Sequence, residues 1–441
     1  MLNGLWLTLL LAAVLVGGFT GRLPQTTDGA IRSAETAVTL ALGLIGVMTL
    51  WLGLMRLAER SGLVAGLARA LRPLLRRLFP DVPADHPALG SMVLNIAANM
   101  LGLTNAATPL GLRAMRDLET LNRTPGTATN AMCTFLAINT GSVQLLPVSA
   151  IALFAAAGAR EPAAIVGTTL LATTCSSLAG LIAVKSLERL PFFAVNRSLP
   201  TPAAPTSSRD AGIPPNAETP VFPEPAPLTI RGRVVLIAFA AAFAWFALRL
   251  VTDPSADPAA SLGVRIIQAV SALAIPGLVA GFPLYAAVRG VAVYEEFVEG
   301  AKEGFGVAVK IIPYLVGMLV AIGMLRGAGV LELLERWTAP ALSALGIPSQ
   351  LLPLALMRPL SGSGSLAALG DLIRQSGPDS LVARMGGTLF GSTETTFYVI
   401  AVYFGAVGIR RVRHALAAGL VADAVGIVAA VWICRWVLGP G

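Results

Sequence analysis

The chain has 441 residues, 55% of them hydrophobic and 13% charged, with a formal net charge of +8. A mean hydropathy of +0.74 lies far beyond soluble domains, whose apolar share is about 45–50%, so a soluble globular fold is excluded. The positive balance is mostly arginine in short polar segments, which in so apolar a chain reports topology rather than a nucleic-acid partner.

Residues 1–21 form an apolar run with no basic residue in its first five positions and no convincing small-x-small cleavage site. They are expected to stay as a first helix. About 20 helical residues cross a bilayer, and runs of that length follow at 36–55, 163–184, 266–288 and 385–409, the last interrupted only by Glu394. Shorter or more polar runs lie at 234–248, 311–325 and 415–434. The chain reads as an all-α polytopic membrane protein, with the lipid bilayer as its first partner. Between the second and third runs, residues 56–77 hold six arginines, with Leu63, Leu67, Leu71 and Leu74 or Leu75 on one helical face. That pattern suits a helix at the headgroup surface. Cys133, Cys175 and Cys434 are far apart in apolar context, so neither a disulfide framework nor a zinc site is expected. No metal or cofactor is expected either.

Residues 198–228 contain nine prolines and almost no aliphatic periodicity. Such a stretch cannot bury enough surface to fold and reads as an exposed linker. It divides the chain into residues 1–190, a linker at 191–232, and residues 233–441. The halves look related. "GSVQLLPVSAIALFAAAG" at 141–158 aligns without a gap on "GSTETTFYVIAVYFGAVG" at 391–408, an offset of 250 that places Gln144 opposite Glu394. "GLVAGLARALRP" at 62–73 matches "GVLELLERWTAP" at 329–340 in the same order. Arginine placement reverses between the copies: 56–77 holds six against two in 326–348, whereas "RRVRH" at 410–414 stands against the lone Arg160. Because cytoplasmic loops retain Lys and Arg, 56–77 and 410–414 are expected inside and their counterparts outside. This is the signature of an inverted repeat, with the N-terminus and the linker cytoplasmic.

Each half interrupts its apolar pattern twice: "NIAANMLGLTNAATPLG" at 95–111 and "AINTGSVQ" at 137–144, then "MRPLSGSGS" at 357–365 and "GSTETT" at 391–396. Gly, Pro, Ser and Asn make poor helix interiors. Unpaired backbone in hydrocarbon is tolerated only where protein or water covers it, so these are expected to be re-entrant tips or broken helices around a polar pocket. The candidate substrate-binding residues are Asn95, Asn99, Asn105, Thr108, Ser142, Gln144, Ser361, Ser363, Ser392, Thr393, Glu394 and Thr395. Arg358, Glu394 and Asp423 are the candidates for gating or ion coupling, since ionisable groups at membrane depth are functional by default. The alternative is purely structural: hydroxyls bonding to the preceding turn, amides bridging helices, and Glu394 locked to Arg358. Lys310 can snorkel and is given no role.

The same residues carry a family resemblance. Residues 1–190 resemble spore maturation protein A through "LGLMRLAERSGL", "RRLFPDVPADHPALG" and "NMLGLTNAATPLGLRAM". Residues 265–437 resemble spore maturation protein B through "VYEEFVEGAKEGF", "IIPYLVGMLVAIGMLR", "LPLALMRPLSGSGSL" and "GSTETTFYVIAVYFGAVGIRR". Both are similar to the gate-domain superfamily, which includes nucleoside transporters. The resemblance implies a plasma-membrane protein with two transporter-like gates working as one unit, implicated in spore maturation, and names no substrate.

Transport of a small polar solute, nucleoside-like or related to the cell wall, is therefore the first expectation, with a homo-oligomer open. An enzyme is not expected. A serine hydrolase needs a base near Ser363 or Ser392, yet the two histidines, His86 and His414, fall at predicted membrane boundaries. No Gly-x-Ser-x-Gly, zinc-ligand or phosphate-loop pattern occurs either. The alternative is a non-transporting scaffold or receptor for cell-envelope machinery.

Overall fold

The computed structural model describes residues 2–83, 85–101, 104–193, 226–252, 261–439, and among them the chain is helical, with one isolated bridge between Thr127 and Arg411. Most of the expected linker, 194–225, lies outside the described residues. In chain order, α1 (Leu2–Phe19) is followed by α2 (Leu23–Arg60), α3 (Leu63–Leu78), α4 (Pro87–Met100) and α5 (Thr104–Glu119). The first half closes with α6 (Asn130–Gly141), α7 (Val148–Ala156) and α8 (Ile165–Leu187). The second half contains α9 (Ile230–Val251), α10 (Leu262–Val288), α11 (Val293–Gly327), α12 (Val330–Ala344), α13 (Leu352–Met357), α14 (Gly362–Ser376), α15 (Leu381–Ser392), α16 (Thr396–Gly405) and α17 (Ala415–Leu438). Among the described residues, five helices are long and apolar enough to cross a membrane, or six if the bent pair around Gly329 counts as one span.

Helices α2–α8 recur as α11–α17. Left-handed glycines, Gly62 at φ 76° and Gly329 at φ 81°, turn α2 into α3 and α11 into α12. Thr129 and Ser380 cap α6 and α15, and Gly158 and Gly408 end the turns after α7 and α16. Equivalent helices run in opposite senses. Gly29 of α2 faces Gly323 of α11, while Gly53 of α2 faces Phe297 and lies beside Gly300. Likewise Ser176 Oγ of α8 donates to the Ala422 carbonyl of α17 at 2.9 Å, and Gly180 packs on Ala418 and Ala422. The repeat is therefore inverted and its two copies are interleaved. The halves are joined along these antiparallel seams rather than standing side by side.

The α2–α11 seam depends on glycine. A side chain at Gly29, Gly300, Gly304, Gly323 or Gly327 would strike the backbone of the facing helix, so the two long helices touch main chain to main chain, as small residues permit. Their linker-side ends are pinned by Arg56 to Glu296 at 2.9 Å and Glu303 at 3.1 Å, and by Arg60 to Glu296 at 3.1 Å.

The contacts sort several helix ends onto two opposite faces. On the linker face lie the end of α2, α3, the ends of the α4–α5 hairpin, the start of α6 and the end of α8. His86 meets Thr120 there at 3.3 Å, and the Arg410 and Arg411 amides donate to Gly126. The α4–α5 pair enters from this face and turns back. The α13–α14 pair enters from the opposite face, where Asp371 of α14 meets Arg326 near the end of α11 at 2.9 Å.

Two expectations are corrected in detail, and the break expected at 391–396 is located. The 36–55 run is part of a 38-residue helix. Its first turns carry polar residues, but Thr26 and Ser33 are covered by α1 and α11, so hydropathy starts the span too late. The 385–409 run is two helices broken at Thr393–Thr395. On α3, Val64, Ala68 and Leu75 are buried while Leu74 is 54% exposed. The arginine-bearing helix thus lays its apolar side against α4, and only part of the leucine stripe is left for lipid.

Candidate functional site

The four polar interruptions converge. The α6–α7 break is tied to the α4–α5 tip by the Leu145 amide on the Met100 carbonyl at 3.0 Å, and the α15–α16 break to the α13–α14 tip by the Phe397 amide on the Pro359 carbonyl at 3.0 Å. Each broken helix is thus held to the hairpin of its own repeat by one backbone bond. Between the repeats, the Glu394 amide donates to the Thr140 carbonyl at 2.8 Å, and Gln144 Nε2 donates to Glu394 Oε1 at 2.6 Å. Gln144 and Glu394 are the pair that the 250-residue offset makes equivalent, so the two repeats touch at their own symmetry axis.

Glu394 is the open member of this centre, its side chain 33% exposed, whereas Arg358 is 3% exposed. The guanidinium donates to the Thr393 carbonyl, stands 3.8 Å from Glu394, and lies 4.6 Å from the Phe390 ring centre. A planar cation suits that combination of carbonyl, carboxylate and ring face. Asp423 is buried on α17, where Thr396 Oγ1 donates to its Oδ2 at 2.6 Å.

The remaining expected residues divide into two groups. Ser142 and Thr393 are buried at the breaks with hydroxyls that have no partner, as has the Thr140 hydroxyl beside them. Thr395 is also buried and lies against Gly362 of α14, and Thr108 on α5 is half-buried. The others hold structure. Asn95 donates to the Ala107 carbonyl at 2.7 Å and to the Tyr403 hydroxyl at 3.3 Å, clamping the first hairpin. Asn99 donates to Asn139 at 2.9 Å. Ser361 caps α14 through the Gly364 amide at 3.0 Å, with Ser363 Oγ 3.4 Å away, and Ser392 bonds back to Leu389 at 2.9 Å. The side chains of Asn105 and Lys310 lie outside the described residues.

Sequence reasoning missed the caps of α6. Thr173 Oγ1 donates to the Ser142 carbonyl at 2.5 Å and the Gly141 carbonyl at 3.2 Å, and Ser177 Oγ to Gly141 at 2.5 Å. Both lie on α8 inside an apolar run where hydroxyls carry no distinguishing signal; only the repeat offset singles out Thr173, as the position opposite Asp423. The histidines stay away from the centre: His86 caps α4, and His414, next to Arg413, precedes α17. Burial first, then Arg413 and Lys185, pushes the His414 imidazole down to about 4.

With this geometry in place, comparison with known proteins is decisive. The family model Gate, described as nucleoside recognition, matches residues 41–185 and 308–410. The chain belongs to the Gate family. The two Gate segments fall within the two inverted copies, each running from partway along a long glycine-lined helix past its hairpin and through its broken helix; the first takes in most of α8, and the second ends before α17. The chain is 48% identical over 176 residues to spore maturation protein B of Bacillus subtilis (strain 168), covering 99% of that protein and 40% of this chain. It is 40% identical over 182 residues to spore maturation protein A of the same organism, covering 93% of it and 41% of this chain. It is thus built as a fusion of an A-like and a B-like Gate segment in a multi-pass membrane protein. No solved structure matches the chain.

Proposed function

We propose that this protein carries a small polar solute, nucleoside-like or related to the cell wall, across the plasma membrane through the seam where its two Gate copies meet. The observation that carries the reading is the Gln144–Glu394 bond at 2.6 Å. It joins symmetry-equivalent residues at the breaks of two oppositely oriented helices, with Arg358 behind it. Opposed hairpins and broken helices are the parts from which alternating-access carriers are made. Glu394 is the group that meets a cation or a substrate donor; the unpartnered hydroxyls of Thr140, Ser142 and Thr393 at the two breaks are the neutral hydrogen-bonding groups beside it. An enzyme is disfavoured by the partners of the two serines: Ser392 bonds back to the Leu389 carbonyl and Ser363 meets Ser361, neither of them a base. The nucleoside class rests on the family description, and the cell-wall class on the spore maturation relatives.

Uptake by proteoliposomes of a panel of nucleosides and cell-wall precursors tests the proposal. Wild type accumulates at least one solute, and Glu394→Gln lowers its rate by at least tenfold or changes its ion dependence. Unchanged flux for every solute sinks the role of Glu394.

The orientation proposed with it has the arginine-rich linker face in the cytoplasm, because cytoplasmic loops retain Lys and Arg. Cysteines introduced at Arg60 and Arg411 in a background without Cys133, Cys175 and Cys434 should resist a membrane-impermeant maleimide in intact cells and react after permeabilisation. Labelling of either from outside reverses the orientation.

A further inference from the structure

The two copies differ at one place where symmetry predicts likeness. In the first, the carbonyls that end α6 are capped by the Thr173 and Ser177 hydroxyls. The 250-residue offset puts Asp423 and Ile427 at those positions in the second. A threonine hydroxyl always has a proton to give, and an ionised carboxylate has none. The carbonyls equivalent by that offset are those of Gly391 and Ser392; one residue further on, the Thr393 carbonyl is bonded by Arg358.

Asp423 Oδ1 is buried without a hydrogen-bond partner, and the whole side chain is 3% exposed. A buried carboxylate in that state is costly unless it is neutralised. Its face of α17 is packed by hydroxyl-bearing residues: Gly419, one turn before, meets the methyls of Thr140 and Thr396 and the Thr396 hydroxyl, and Gly426, one turn after, meets the Thr393 methyl and the Ser176 side chain. The charged groups that reach it are Arg358 and Glu394. With all three ionised, the cluster holds two negative charges against one positive. One positive charge is missing.

We infer that Asp423 holds a proton at neutral pH, so that its carboxylic acid takes the place of the hydroxyl of Thr173 in the other copy, and that it is the proton-carrying group of the carrier. The proton is favoured over a metal cation because the equivalent position in the other copy is itself an O–H donor and because it needs no added volume in a face packed on two glycines. The step is a simple exchange: Asp423 carboxylate takes one proton and becomes a neutral acid, leaving Glu394 and Arg358 as a balanced pair. Asp423 lies beyond the second matched segment, which ends at residue 410. The carrier role rests on the transport reading; the protonation can be measured without any solute.

Infrared difference spectroscopy of the purified full-length protein tests it. At neutral pH wild type should show the carbonyl stretch of a buried carboxylic acid, shifted by aspartate-selective carbon-13 labelling and lost as pH is raised. Asp423→Asn and Asp423→Thr should lack the band, and Glu394→Gln should keep it. Absence of a label-sensitive band in folded wild type overturns the inference, as does a band that persists in Asp423→Asn. Absence of the band in labelled wild type overturns the inference even if the variants fail to fold; assignment of a band that is present rests on Asp423→Asn or Asp423→Thr. Loss of the band when sodium chloride replaces choline chloride at equal ionic strength assigns the site to a metal cation and also overturns it. If the band is present and no solute is transported, the transport reading fails and the protonated aspartate stands. Transport independent of a proton gradient in wild type sinks the carrier role.

Discussion

Replacing Arg358 by leucine should destabilise the protein by about 1.5–3 kcal/mol, the usual worth of a hydrogen bond to a charged group. The guanidinium is 3% exposed and serves three groups at once: the Thr393 carbonyl, Glu394 and the Phe390 ring. Its loss leaves the carbonyl unbonded at the break and Glu394 without its cation. Lysine should not rescue, because a single ammonium cannot bond the carbonyl and also present a flat cation to the ring. Adding Glu394→Gln to Arg358→Leu should recover part of the loss, since the uncompensated carboxylate is then gone; this is the non-additivity expected of neighbours. Thermal melting of the purified variants measures all three. An Arg358→Leu protein as stable as wild type would mean that the cluster contributes nothing to holding the breaks together.

The second large effect lies in the α2–α11 seam. Gly323→Ala should destabilise by about 1–3 kcal/mol, the range for overpacking, because its Cβ would meet the Gly29 carbonyl and the Ser33 hydroxyl. Helix propensity pulls the other way, since alanine is favoured over glycine by about 1 kcal/mol in a helix interior. Gly46→Ala on α2 isolates that term: nothing lies within 4 Å of its new Cβ. It should be neutral or slightly stabilising. Opposite signs for these two changes, read as melting temperature and folded yield, establish backbone contact as the reason the seam is glycine-lined. Equal signs contradict it.

Much of the centre was legible before any coordinates. Gln144 opposite Glu394 came from one ungapped alignment, and the structure joins those two side chains. Gly62 and Gly329 open the two segments aligned as repeats, and the fold shows that both turn the chain, into α3 and α12. The polar interruptions at 137–144 and 391–396 became the two helix breaks, because glycine and hydroxyl residues weaken a helix in the middle of an apolar run. Other assignments needed the fold. Asn95 and Asn99 look alike in sequence, yet one clamps its own hairpin and reaches Tyr403 while the other meets Asn139 on α6. Nothing local distinguishes them, since Tyr403 is 308 positions from Asn95 and Asn139 is 40 from Asn99.

By itself, the sequence determined that the chain lives in a bilayer, that it is duplicated, that the copies are inverted, and where their helices break. These follow from residue type and order, which is how burial in lipid, arginine retention and backbone propensity act. Only the tertiary structure decided that the copies interleave through α2 with α11 and α8 with α17. It also showed that α2 is far longer than its apolar core, and that Thr173 caps a helix end where Asp423 is left with a bare oxygen. Hydropathy averages over every side of a helix, whereas burial, capping and charge balance depend on which side another helix covers.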